Sequence, residues 1–312
     1  MGCSRDNSQG ATNSFAVRLQ GMDASPAPER YEAVVVGAGP AGLTAATYLG
    51  RFRRRVLVLD GGPSRATWIP ESHNTPGFPR GIGGDELLAR LRDQAQEYGA
   101  VIRPGRVERL QSVAGGFRLE IEGVWFEAPT ALLATGVVDR LPDLPGLETA
   151  IRRGQVRMCP ICDAYEATDA KIAVLGSGLL AQREADFLRT YSRDVTILIV
   201  GEAEDAPRDA ARVALSDLRF ERDQVVLSAA DGETRFDYLY LALGCASQAA
   251  LACALGARQD EKGDLVVDAH QMTTVEGLYA AGDVVRGLNQ IAVAGGEAAI
   301  AATAMHNRLR KA

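Results

Sequence analysis

The chain has 312 residues, 46% of them hydrophobic and 24% charged, and its formal net charge is −6. That length suits two domains that each bury a core, and the negative balance leaves no surplus of cations for a phosphate backbone, so nucleic acid is not an expected partner. No apolar run reaches the roughly 18 residues of a membrane span, and five cysteines are too few, and odd in number, for a secreted disulfide scaffold. A water-soluble, cytoplasmic protein without a membrane partner is expected.

Residues 1 to 30 are rich in Ser, Asn, Gln, Ala and Pro and lack the basic start and apolar stretch of a signal peptide. They read as a mobile leader, with Met22 a candidate natural start. Residues 31 to 36 then form a β-branched strand that runs into Gly37-Ala38-Gly39-Pro40-Ala41-Gly42 and a helical stretch from 43 to 49. Gly37 permits the turn, Gly39 lets the backbone approach a pyrophosphate, and Gly42 lets the helix pack closely on the strand, with the helix N-terminus facing the phosphates. A second strand at 56 to 59 ends at Asp60, where a carboxylate takes the ribose hydroxyls of an adenosine. These are the parts of a dinucleotide-binding βαβ unit.

Further on, a strand at 130 to 133 leads into Ala134-Thr135-Gly136. Cys159-Pro160-Ile161-Cys162-Asp163 places two thiols at CxxC spacing across a helix start, with Pro160 suited to the first turn. The free amides and dipole there favour a thiolate, the form that attacks a disulfide. Asp163, held in an apolar setting, would have a raised pKa and could donate or accept a proton. Two other readings stand beside this one. A zinc site needs two more ligands, which the scattered His73, His270 and His306 do not supply, so no metal is expected; the pair could also be inert structural thiols. Cys3, Cys245 and Cys253 have no comparable context and read as structural.

A second βαβ unit follows: a strand at 171 to 175, the GxGxxA turn from Gly176 and Gly178 to Ala181, a helix to about 188, and a strand at 195 to 200. After it stand Glu202, Glu204 and Asp205, an acidic run that would repel a 2′-phosphate, which needs cations. Glu202 either accepts ribose hydroxyls, as NADH would require, or is simply a solvated acid. The stretch from Glu202 to the returning strand at 241 to 244 is short for such a domain. Residues 274 to 283 form an apolar strand that ends in Gly282-Asp283, followed by a long Ala-rich helix from about 289.

The 274 to 283 segment and Ala134-Thr135-Gly136 resemble the second flavin motif and the ATG motif of the pyridine nucleotide-disulfide oxidoreductases. In order with the first βαβ unit, they imply FAD. The whole pattern from Tyr31 to the C-terminus resembles the low-molecular-weight thioredoxin reductases. The fold this implies is α/β, with two Rossmann-like dinucleotide-binding domains, the second inserted into the first: 31 to 141 and 248 to 312 for FAD, and 142 to 247 for the central domain. The resemblance assigns Cys159 and Cys162 as the redox disulfide, with Cys162 nearer the flavin, and Asp163 as the acid. For the flavin it assigns Gly37, Gly39, Pro40, Ala41, Gly42, Asp60, Asn74, Ala134, Thr135, Gly136, Gly282, Asp283, Gln290 and Ile291. Asn74 lies in a stretch from 73 to 79 that looks like the family's flavin-contacting loop; His73 departs from the pattern and reads as a surface or core histidine, with a role near the flavin as the alternative.

In NADPH-dependent relatives the second βαβ unit ends in a His-Arg-Arg cluster that this chain lacks. The expected function is therefore an FAD-dependent dithiol/disulfide oxidoreductase, with a thioredoxin-like protein or small dithiol as partner, ferredoxin or oxygen as the other electron partner, and a homodimeric assembly. Two alternatives stay open: an NAD(P)H-dependent thioredoxin reductase with an atypical nucleotide site, and a non-catalytic flavin-bound redox sensor. The Gly176-Gly178 unit could also hold a second FAD.

Overall fold

The computed structural model describes residues 28 to 201, 207 to 230 and 232 to 311. The leader as far as residue 27, and Glu202, Glu204 and Asp205, lie outside the described residues.

Ala33–Val36 is a short run whose side chains alternate between two cores, which is what a strand buried on both faces requires. Ala33 and Val35 enter one cluster with Leu43, Leu49, Ala298 and Met305. Val34 and Val36 enter another with Phe117, Leu119 and Phe126. Around this strand a five-stranded parallel sheet runs in the order Leu278–Ala280, Thr130–Leu133, Ala33–Val36, Val56–Asp60, Val101–Pro104. One face is covered by the helices Pro40–Arg51 and Ile291–Leu309, which pack on each other. Ala294, Ala298, Ala301, Ala302 and Met305 line the buried stripe of the second helix at helical spacing, and their small side chains let the two helices approach. The opposite face is covered by the antiparallel strands Arg109–Val113, Gly116–Ile121 and Val124–Ala128.

The inserted domain repeats the plan. Its parallel sheet has the order Val156–Arg157, Tyr238–Ala242, Ile172–Gly176, Val195–Val200, Ala211–Val213, beside an antiparallel trio Leu218–Phe220, Val225–Ala229 and Gly232–Phe236. The two crossings of the chain between the sheets pair as a ribbon, Val137–Asp139 antiparallel to Cys245–Ser247. The fold is thus α/β, with one Rossmann-like domain inserted into another.

Some boundaries differ from expectation. The first strand begins at Ala33 and its helix at Pro40, because the Gly37 to Gly39 turn needs only three residues. The long C-terminal helix begins at Ile291, because Asn289 has φ +50° and Gln290 is extended. The returning strand is Tyr238–Ala242. Among the described residues, no helix is long and apolar enough to cross a membrane.

Candidate active site

The first glycine turn is fixed by contact. A Cβ on Gly42 would lie 1.9 Å from the Gly37 carbonyl oxygen, and one on Gly37, whose φ is +110°, would lie 2.3 Å from the Ala134 carbonyl oxygen. These positions tolerate glycine alone. The turn opens on a cavity of about 1090 Å³ between the two domains. It is lined by Gly37, Gly39, Pro40 and Ala41 from the turn, by Ala134, Thr135 and Gly136, by Gly282 and Asp283, and by Asn74, Gln290 and Ile291. From the inserted domain Cys159, Cys162 and Asp163 reach the same cavity.

Two expected residues lie outside this lining. Gly42 sits behind the turn, and Asp60 stands at its strand end with its carboxylate on Arg92 and on the Gly62 amide. His73, which lines the cavity, has its Nε2 3.2 Å from Glu71.

Cys159 and Cys162 are joined as a disulfide with Cα atoms 5.3 Å apart. Cys159 caps the short helix Pro160–Asp163, with Pro160 in its first turn. The Gln290 side-chain amide points at both sulfurs, its Nε2 3.5 Å from Cys159 Sγ and 3.4 Å from Cys162 Sγ. Asn74 Nδ2 donates to Gln290 Oε1 at 2.9 Å and to the Ile161 carbonyl at 3.4 Å. One short chain of polar groups therefore ties the disulfide to the loop and the helix start of the other domain.

Burial pushes the Asp163 carboxyl up to about 6, against the opposing pull of the Arg157 guanidinium and the Tyr240 hydroxyl, with Glu166 adding to the rise. Burial likewise holds Asp283 above the usual carboxylate range, opposed by Arg65. Arg65 itself grips Asp139 of the ribbon through two hydrogen bonds of 2.7 and 2.8 Å and comes within 3.6 Å of Asp283. Cys245, read from sequence as structural, sits half-buried on the ribbon facing Asn289 Nδ2 at 3.8 Å, and burial raises its thiol. Cys253 packs against the core.

Arg65, Arg157 and Tyr240 were missed by sequence reasoning. Arg65 meets Asp139 across 74 positions of chain, and nothing local marks it. Arg157 and Tyr240 lie opposite each other in the parallel register of Val156–Arg157 with Tyr238–Ala242, so both project to one face; only the strand order reveals that pairing.

The second glycine turn keeps its packing and loses its setting. A Cβ on Gly176 would lie 2.5 Å from the Ala242 carbonyl oxygen and 2.9 Å from the Ala181 Cβ, and Gly178 has φ +53°. Yet Leu179 and Leu180, at the helix start where phosphate oxygens would lie, are 62% and 38% exposed, and the turn does not line the large cavity.

A family model described as pyridine nucleotide-disulphide oxidoreductase matches residues 31–298. A thioredoxin reductase of Aquifex aeolicus is 31% identical over 280 residues, covering 81% of this chain and 85% of that protein. The crystal structure of a thioredoxin reductase from Streptococcus pyogenes superposes with a TM-score of 0.80 at 24% identity, over 92% of this chain and 100% of that one. The structure of an atypical thioredoxin reductase from Desulfovibrio vulgaris Hildenborough is 32% identical over 91% of this chain and 99% of that one, with a TM-score of 0.53.

Proposed function

The chain belongs to the pyridine nucleotide-disulphide oxidoreductase family and is a thioredoxin reductase-like, flavin-dependent enzyme, and on that premise we propose that it moves electrons between a dithiol partner, the Cys159–Cys162 disulfide and FAD without relying on NADPH. The observation that carries the flavin-disulfide part of the reading is one cavity that joins the glycine turn, Asp283 and the disulfide. Its size suits an extended dinucleotide, and the crowded glycines make a cradle that any side chain would fill. In this reading Gly37 to Ala41 lie against the pyrophosphate and Asp283 with Gly282 receives the ribityl chain, while Asp60, outside the lining with its carboxylate on Arg92, must release that contact to reach the adenosine ribose. Ala134, Thr135 and Gly136 form the far wall, and Asn74, Gln290 and Ile291 border the flavin ring. FAD, when bound, supplies a two-electron acceptor and donor beside the disulfide. The domain boundaries we propose, near 141 and 248, each fall just past one strand of the paired ribbon.

Cys159 exchanges with the partner and Cys162 faces the flavin, while Gln290 offers an amide donor to whichever sulfur carries negative charge. Asp163 holds or releases the proton that the exchange requires. The partner is a thioredoxin-like protein, the substrate in the names of the relatives, or a small dithiol. Against NADPH as donor stand the exposed leucines of the second turn and the acids at 202 to 205 in the sequence. The close Gly176–Ala181 packing favours a second reading, an NAD(P)H-dependent reductase with an altered site. One anaerobic titration separates them: flavin absorbance is followed while NADPH, NADH, reduced ferredoxin and a dithiol are added in turn. Bleaching by the dithiol and not by NADPH supports the first reading, and the reverse supports the second.

A further inference from the structure

Asp163 is not alone at the end of its short helix. The Arg157 guanidinium donates to the Asp163 carbonyl at 2.7 Å and approaches the carboxylate to 3.9 Å. The Tyr240 hydroxyl donates to the carboxylate at 2.9 Å. Arg157 in turn lies 3.7 Å over the ring of Tyr238 and bonds the Gly154 carbonyl at 3.2 Å, so its position is fixed from three sides. Tyr240 is fully buried, and burial holds its hydroxyl well above its ordinary range, so it remains a donor whatever Asp163 does. The strand register that pairs Arg157 with Tyr240 presents both to the carboxyl.

We propose that Arg157 and Tyr240 are positioning residues that hold the Asp163 carboxyl in the redox cavity and set the pH at which the neighbouring disulfide exchanges with thiols. This rests on the reading of Asp163 as the proton group. The exchange balances as follows. A substrate thiolate attacks Cys159 Sγ, the Cys159–Cys162 bond breaks, and its electron pair leaves on Cys162 as a thiolate. The second substrate thiol gives its proton to the Asp163 carboxylate and attacks the mixed disulfide. The substrate leaves as a disulfide, and the Cys159 thiolate so released takes the proton back from Asp163. The reverse sequence reduces a partner disulfide. A fixed cation and a fixed hydroxyl donor both favour the carboxylate that must accept this proton, against burial that disfavours it.

The groups facing Asp163 are Arg157 from one strand, Tyr240 from the next, and Glu166 from the turn that follows it, with Tyr238 packed on Arg157. On the Gly178–Leu188 helix, which packs on the Pro160–Asp163 helix, Glu184 has its own carboxyl pushed up by burial to about 7. It is the control.

The test is the rate, between pH 5 and 9, at which the dithiothreitol mixed disulfide on Cys159 is resolved to two free thiols, read in the FAD-loaded protein by alkylation and mass spectrometry as loss of the dithiothreitol adduct. The wild type is expected to show an inflection near 6. Asp163→Asn should abolish it and Glu184→Gln should keep it. Arg157→Gln should move it up by about one pH unit, because the lost cation no longer favours the carboxylate. Arg157→Lys should leave it near its original place, and Tyr240→Phe should move it up by less. If Arg157→Gln does not fold, Tyr240→Phe, which keeps the buried ring, decides. An inflection that survives Asp163→Asn, or vanishes with Glu184→Gln, overturns the reading of Asp163 itself. An inflection lost in Asp163→Asn but unmoved in both Arg157→Gln and Tyr240→Phe overturns the positioning role alone.

Discussion

The two glycine turns of this chain are built alike and face different things. Each has a strand, a glycine jammed against a neighbouring carbonyl, and a helix that starts two or three residues later. The first opens on a large interdomain cavity, and the one buried polar residue on its helix, Thr47, is satisfied by the Leu43 carbonyl at 3.0 Å. The second presents Leu179 and Leu180 to solvent, and on its helix the half-buried Glu184 has its Oε2 buried without a hydrogen-bond partner. Close packing of helix on strand is therefore a property of the fold, whereas what the turn confronts determines whether a dinucleotide has a place there.

The difference is broken most severely at Gly42. A valine there must displace the Gly37 carbonyl, a steric cost on the order of 1 to 3 kcal/mol or more, and it deforms the turn itself. The expected outcome is protein purified without flavin and with a lowered unfolding temperature, measured by absorbance and calorimetry. Retention of a full flavin complement would detach the turn from the cofactor.

Next in size is the loss of either sulfur. Cys159→Ser should leave Cys162 able to give a long-wavelength thiolate-to-flavin absorption, while Cys162→Ser should remove that band and leave Cys159 trapped in a mixed disulfide. The opposite pattern would reverse the roles of the two cysteines. In both, dithiol-driven flavin reduction should fall to background with flavin content unchanged.

A smaller effect is predicted within the second unit. Glu184 has a folded-state pKa raised to about 7 by burial, so the native state holds its proton more tightly than the unfolded chain. Its contribution is present below about pH 4.5 and is lost as pH rises through about 7. Glu184→Gln should accordingly raise the unfolding temperature at pH 8, by a free energy on the order of 1 to 2 kcal/mol after allowance for partial solvation, and change little at pH 4. Equal gains at both pH values would show that its titration is not the cause. Smallest of all is Leu179→Ser, expected within about 0.5 kcal/mol in stability and without effect on flavin content or dithiol turnover.

Much of this was legible in the chain. The strands at 56, 130 and 195 and both glycine turns follow from largely apolar runs punctuated by glycine, because a parallel strand buried on both faces must be apolar throughout. CxxC followed by Asp163 stood out for the same local reason. What the sequence hid was every contact that depends on strand order or on domain placement. Arg157 meets Tyr240 only through sheet register, Arg65 meets Asp139 only at the ribbon, and Gln290, assigned by resemblance to the flavin side, also reaches the disulfide of the inserted domain. The place of Cys245 on the ribbon was hidden too, because nothing near it in sequence signals that pairing.

The comparison of the two turns comes down to where electrons enter. Losing two bidentate cation contacts at a 2′-phosphate, each about 1.5 to 3 kcal/mol, weakens NADPH by roughly 10²- to 10⁴-fold. The direct measurement is anaerobic stopped-flow reduction of the bound flavin by NADPH, by NADH and by a dithiol. Rapid bleaching by the dithiol through Cys159 and Cys162, with slow or absent bleaching by micromolar NADPH, is the expected result; rapid bleaching by micromolar NADPH would contradict it and make the second turn a working nucleotide site.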